Sequence, residues 1–168
     1  MNKNSKYIYT EKIIDPFGTA KPAQVGVDLT IAKIEVIEGS AIFDTDSKLD
    51  KNSIRYTEAD SYTEGDQKYY ILKPNTNYAI EFEQGLKQLN DNEWGFIVQR
   101  SSLLRTGCHI ISSIWDPGFQ TSQMGTTLLT GNIPVCIPVG CRVAQLLIFD
   151  NEPTELYCGT WQGVANHV

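Results

Sequence analysis

Apolar residues fall at every second position over Val25-Gly26-Val27-Asp28-Leu29-Thr30-Ile31, and Ile34 and Val36 continue the pattern. Tyr78-Ala79-Ile80-Glu81-Phe82 repeats it. A period of two marks strands with one buried face. Val143-Ala144-Gln145-Leu146-Leu147-Ile148-Phe149 is nearly continuous in apolar residues and predicts a strand buried on both faces. Turn signals separate these runs at Glu38-Gly39, Pro74-Asn75, Asp116-Pro117-Gly118, Thr130-Gly131-Asn132 and Pro138-Val139-Gly140. Many short strands at this spacing predict an all-β sandwich or barrel. The one helix candidate is Ser101-Ser102-Leu103-Leu104-Arg105-Thr106-Gly107, with a serine to cap its start and a glycine just past its end. A single turn there aims backbone N–H groups outward, a seat for an anion.

From Asp44 to Lys68 the chain is polar, with Ile54, Tyr56 and Tyr62 as its few large apolar residues. This stretch reads as a surface insertion, a solvated loop or a hairpin, in a single domain spanning residues 1–168. No internal repeat or linker interrupts the rest.

The chain has 168 residues, 41% apolar and 20% charged, enough for one sizeable core. Fourteen Lys and Arg against 20 Asp and Glu give a net charge of −6, which argues against nucleic acid or an anionic membrane as partner. The longest apolar run, Leu146 to Phe149, is far below a membrane span, and the polar start resembles no signal peptide, so a cytoplasmic location is expected. Cys108, Cys136, Cys141 and Cys158 form no metal-binding spacing with His109 or His167, and reduced, partly buried thiols are expected. No lysine follows Lys87, and from Arg105 to Val168 the only Lys or Arg residues are Arg105 and Arg142. So few charges predict burial in the core or against other subunits.

Three segments carry the candidate chemistry: Gln99-Arg100-Ser101-Ser102-Leu103-Leu104-Arg105-Thr106-Gly107, Ile114-Trp115-Asp116-Pro117-Gly118-Phe119 and Gly140-Cys141-Arg142-Val143-Ala144-Gln145-Leu146. Three of the four arginines lie in the first and third. Guanidinium forks match phosphate oxygens, and serine hydroxyls complete an anion cradle. Asp116 stands in a Pro-Gly turn between apolar strands, with Phe119 offering a flat face nearby.

These segments, with Pro22-Ala23-Gln24-Val25-Gly26-Val27-Asp28-Leu29, resemble the dUTPase/dCTP deaminase superfamily over about Pro22 to Gly163. The ordered set Arg-Ser-Ser-Leu-x-Arg-x-Gly, Asp-Pro-Gly-Phe and Gly-x-x-x-Ala-Gln-Leu carries the resemblance. It implies a distorted jelly-roll domain of the dUTPase-like (β-clip) type, a homotrimer with active sites shared between subunits, and a deoxynucleoside triphosphate bound with Mg²⁺. It further implies phosphate binding by Arg100, Ser101, Ser102 and Gln145, and activation of the attacking water by Asp116. Phe119 would pack on the deoxyribose, and the backbone from Ser112 to Ile114 would read the base. Arg105 falls either in the site or at a subunit interface, and Asp28 reads as a tie between the motif strands. The segment 157–168 matches the family's lid, with Trp161 over the base.

Two reactions belong to this superfamily. Deamination of dCTP needs a glutamate on the strand after the Asp-Pro-Gly turn. No Asp or Glu occurs between Asp116 and Asp150, and Thr126 aligns with the glutamate position. A threonine hydroxyl is no base near neutral pH. Hydrolysis of dUTP to dUMP and pyrophosphate needs only a water, a carboxylate, cations and positioning, and is the expected activity. The alternatives are a dCTP deaminase with a carboxylate donated by the insertion (Glu58, Asp60 or Glu64), and a relative that binds nucleotide without turning it over. The chain departs from the superfamily pattern at Thr160, where a phosphate-contacting lysine is usual, and at Cys141, where many relatives carry Asp.

Overall fold

The structure is a computed structural model that describes residues 1–46, 48–159 and 162–163. A short helix α1 (Ser5–Tyr7) runs into a π turn at Ile8–Lys12. Strands β1 (Ile13–Ile14) and β2 (Lys21–Pro22) precede the long β3 (Val27–Gly39). Next come β4 (Ile54–Glu58), β5 (Ser61–Glu64), β6 (Gln67–Leu72), β7 (Asn77–Phe82), β8 (Gly85–Leu86) and β9 (Glu93–Gln99). Helix α2 (Ser101–Leu104), β10 (His109–Ile111), β11 (Gly125–Leu129), β12 (Val135–Pro138) and β13 (Arg142–Asp150) complete the chain.

The main sheet runs β10-β11-β7-β3-β13-β9, with β2 and β4 also on β3. All its ladders are antiparallel. The register against β7 shifts between Ile31 and Lys33. The first half of β3 therefore pairs with β13 and the second with β7 and β4. The chain after β10 returns to the far edge: Gly95 and Trp115 exchange both backbone hydrogen bonds, at 3.0 and 2.8 Å. The Ile97 N–H donates to Ser112 Oγ at 3.2 Å beside them. The sheet thus nearly closes on itself, the jelly-roll-like all-β fold that the sequence predicts. Its interior holds Leu29, Ile31, Ile80, Phe82, Leu146 and Ile148, each fully buried and each stabilising the fold by about 1.5–3 kcal/mol.

One alternative is decided and one expectation changes. The polar stretch 44–68 takes the hairpin form rather than the loop: β4 extends the main sheet, and β5 and β6 form a hairpin that builds a second sheet, β12-β6-β5. Alternating Ile54, Tyr56 and Glu58 suffices because only one face of β4 is covered. Strand β13 is buried on one face only, since Gln145, Leu147 and Phe149 are half-buried. Its apolar run is continuous because Phe149 joins Trp94 (4.9 Å) and Phe96 (5.8 Å) in a stacked aromatic ladder on the outer face. Before Pro22 the chain is pinned by the buried Ile8 and Ile13 and by polar groups. Tyr7 donates to Glu93 at 2.5 Å and Lys12 pairs with the same fully buried carboxylate at 2.6 Å.

Candidate active site

Asp28 on β3 and Gln145 on β13 are directly opposite one another. Gln145 Nε2 donates to Asp28 Oδ1 at 2.8 Å. Arg100 follows the end of β9, held by its own N–H on the Val143 carbonyl at 2.8 Å. Its Nη1 lies 3.4 Å from Asp28 Oδ2 and donates to the Arg142 carbonyl at 3.3 Å. Arg142 Nε stands 3.7 Å from the same Oδ2. The Asp28 side chain is only 8% exposed, whereas those of Arg100 and Arg142 are 36% and 40% exposed. One sunken carboxylate therefore gathers two guanidiniums whose heads reach solvent. Burial pushes the Cys141 thiol up, and the two arginines pull it back only in part, so the neighbour of Arg142 is a neutral thiol.

Helix α2 begins directly after Arg100. The capping position is Arg100, with extended backbone and no side-chain cap, rather than a serine. Ser101 is the first helical residue, so its hydroxyl and that of Ser102 sit on an exposed first turn. The helix stops at Leu104, and the turn that follows ends at Gly107, whose φ of +77° disfavours any residue with a Cβ. Arg105 is exposed and forms no ion pair among the described residues.

Asp116 lies in the predicted turn. The Phe119 N–H donates to the Asp116 carbonyl at 3.1 Å, and Gly118 has φ of +86°, which is type II geometry. The Asp116 side chain is exposed, while Pro117 and Gly118 are buried. Phe119 stacks on Trp115 at 5.4 Å and meets the edge of Tyr157 at 6.0 Å. The chain's own C-terminal segment straps this turn: Tyr157 N–H donates to the Pro117 carbonyl at 2.7 Å, and Gln162 Nε2 to the Gly118 carbonyl at 2.6 Å. Trp161, expected over the base, lies outside the described residues.

On the connecting wall Ser112 is occupied structurally, accepting from Ile97 N–H and donating to the Ser113 carbonyl at 2.8 Å. Ile114 is 63% exposed. Thr126 donates its hydroxyl to the Ile111 carbonyl at 2.7 Å. The buried Glu81 is opposite Gly125, one residue along β11, and so faces the other side of the sheet from Thr126. Burial raises the pKa of Glu81, with Glu35 adding to the effect and Lys33 opposing it. Glu58 is taken by Lys68 and Tyr70, and Asp60 by Lys73 at 2.8 Å.

The predicted residues fall into two groups. Gly95 is bound to Trp115, while Arg100 lies beyond the other end of β9. Five residue steps along the strand separate Gly95 from Arg100, about 16 Å at ~3.3 Å per residue. One group gathers Arg100, Ser101, Ser102 and Gln145; the other gathers Asp116 and Phe119. Sequence reasoning placed Arg142 in a candidate segment without assigning it a role and read Asp28 only as a tie between the motif strands. The available signal was a lone Asp in an apolar strand and the scarcity of arginine, four in the chain.

A family model described as dCTP deaminase-like matches residues 3–151. The chain belongs to the dCTP deaminase-like family. Within the superfamily it is 30% identical over 152 residues to a probable deoxyuridine 5'-triphosphate nucleotidohydrolase of Halobacterium salinarum, covering 89% of this chain and 87% of that one. It is 30% identical over 145 residues to the deoxyuridine 5'-triphosphate nucleotidohydrolase of Methanocaldococcus jannaschii, covering 83% and 86%. A dCTP deaminase of Pyrobaculum islandicum is 24% identical over 162 residues, covering 94% and 87%. Among solved structures, the 2'-deoxycytidine 5'-triphosphate deaminase of Agrobacterium tumefaciens superposes with a TM-score of 0.61 at 11% identity. That match covers 85% of this chain but only 43% of the deaminase chain. A mutant dUTPase of Staphylococcus bacteriophage 80alpha with dUpNHpp gives a TM-score of 0.51 at 13% identity, covering 88% and 95%. Both structural matches speak to the fold.

Proposed function

We propose that this member of the dCTP deaminase-like family is a dUTP diphosphatase, converting dUTP and water to dUMP and pyrophosphate. One observation carries the choice between the two family reactions: the strand position where a deaminase needs glutamate holds Thr126, its hydroxyl already given to the Ile111 carbonyl. The only buried carboxylate of β7 beside it faces away. The curated relatives at 30% identity are named for the same hydrolysis.

In this reading a water attacks the α-phosphorus, its proton passes to Asp116, and the bond to the β-phosphate's bridging oxygen breaks, releasing pyrophosphate. Arg100 and the exposed first turn of α2 hold the phosphates, and Phe119 supports the deoxyribose. No cluster of three or more His, Cys, Asp or Glu side chains suited to a metal occurs among the described residues. A Mg²⁺ ion carried by the triphosphate and its waters would supply charge neutralisation there. A homotrimer with shared sites accounts for the gap of about 16 Å between the two groups. It also accounts for the exposed Leu104, Ile111 and Ile114 in a charge-poor half. No helix is long and apolar enough to cross a membrane among the described residues.

The test is incubation of the purified protein with dUTP or dCTP and Mg²⁺, resolving nucleotides, pyrophosphate and ammonia. Pyrophosphate and dUMP from dUTP are expected, and Asp116→Asn should lower kcat by about 10²–10⁴ while dUTP binding persists. Ammonia from dCTP would favour the deaminase named among the relatives. Turnover of neither would refute both enzymatic readings.

A further inference from the structure

The shape of the Asp28 cluster is not that of an ordinary buried ion pair. There, both partners leave water together. Here the carboxylate is buried while the guanidiniums it touches stay more than a third exposed. One negative charge faces two positive ones, which leaves a net cation at the mouth. Cys141, beside Arg142, is held neutral by burial, so Asp28 is the sole carboxylate in contact with the arginine pair among the described residues. The contacts engage one terminal nitrogen of Arg100, its Nη1. Arg142 approaches Asp28 through Nε at 3.7 Å, and no other ion pair or side-chain hydrogen bond of its guanidinium occurs among the described residues. In this half of the chain no lysine can substitute, because none follows Lys87.

We infer that Asp28 is a positioning residue that aligns Arg100, Arg142 and Gln145 as one oxyanion seat, and that Arg142 is a second phosphate-binding guanidinium beside Arg100. The inference rests on the triphosphate site proposed above. Its physical basis is that a guanidinium must be fixed in direction to meet phosphate oxygens in pairs. Long arginine side chains are otherwise mobile and repel each other when crowded. A single carboxylate beneath them removes both problems, and its Oδ1 fixes the Gln145 amide at the same time.

The experiment measures binding of α,β-imido-dUTP and of dUMP to the full-length protein by calorimetry. It compares the wild type with Asp28→Asn, Asp28→Glu and Arg142→Gln. Asp28→Asn and Arg142→Gln should each weaken the triphosphate analogue by about tenfold or more. Binding of dUMP, which lacks the β- and γ-phosphates, should change less than about twofold. Asp28→Glu should recover part of the loss. A merely structural role would weaken both ligands alike, and that result would overturn the inference. Unchanged analogue binding in Arg142→Gln would also overturn it; this substitution lies on an exposed side chain and tests the idea even where Asp28→Asn fails to fold. A wild-type protein that binds neither ligand would instead remove the proposed function, and the inference with it.

Discussion

The turn that presents Asp116 depends on a single backbone conformation. Gly118 sits at φ of +86°, and a Cβ there would come within 2.8 Å of Leu156 Cβ. Gly118→Ala therefore combines a left-handed backbone penalty of about 1–2 kcal/mol with a steric clash. Thermal unfolding should show a fall in Tm of at least ~3 °C. An unshifted Tm would mean that the C-terminal strap is not seated on the turn. The neighbouring Asp116 needs no comparable burial, because its predicted work is done on an exposed surface.

Among the elements, the N-terminal turn is tied to β9 by charge as well as seated on the core through the buried Ile8. Burial alone would raise the pKa of Glu93. Hydrogen bonds from Lys12, Tyr7 and the Asn90 N–H outweigh it and hold the carboxyl below its ordinary value. Burial and the Glu93 contact in turn push the Tyr7 hydroxyl up to about 12. A lowered carboxyl pKa contributes stability that is present above the unfolded value, near ~4.3. That stability is lost as pH falls through the folded value. Lys12→Met leaves the buried Glu93 with only the more distant Lys3, at 3.8 Å, as its cation and should cost up to about 3–5 kcal/mol at pH 7. In urea titrations the gap between wild type and variant should narrow below about pH 4 as Glu93 protonates. A gap that widens on acidification would contradict the sign of this linkage.

For the whole molecule, the distance along β9 makes a prediction that no single residue makes. If Asp116 of one subunit works with Arg100 of another, Asp116→Asn and Arg100→Gln proteins are each inactive alone. Denatured together and refolded, they should regain activity in about a quarter of sites by random assortment. No recovery in the mixture, with both variants folded and associated, would place the complete site within one subunit.

The sequence by itself determined β3, β7 and the turn at Asp116, and it named the candidate chemistry. Alternation at 25–36 and 78–82 marked β3 and β7, and Asp-Pro-Gly dictated its type II turn, because side-chain period and φ preference are local properties. The ordered motifs likewise named Arg100, Ser101, Ser102, Asp116 and Gln145, since residue type and spacing survive without coordinates. Only the tertiary structure decided that Glu81 faces away from Thr126, that Glu58 and Asp60 pair with lysines, that the polar stretch builds strands, and that β13 keeps an open aromatic face. It alone joined Asp28 to Arg100 and Arg142, which are 72 and 114 residues away. Register across β3, β9 and β13 sets such contacts, and register is fixed by the closing of the sheet rather than by any one strand.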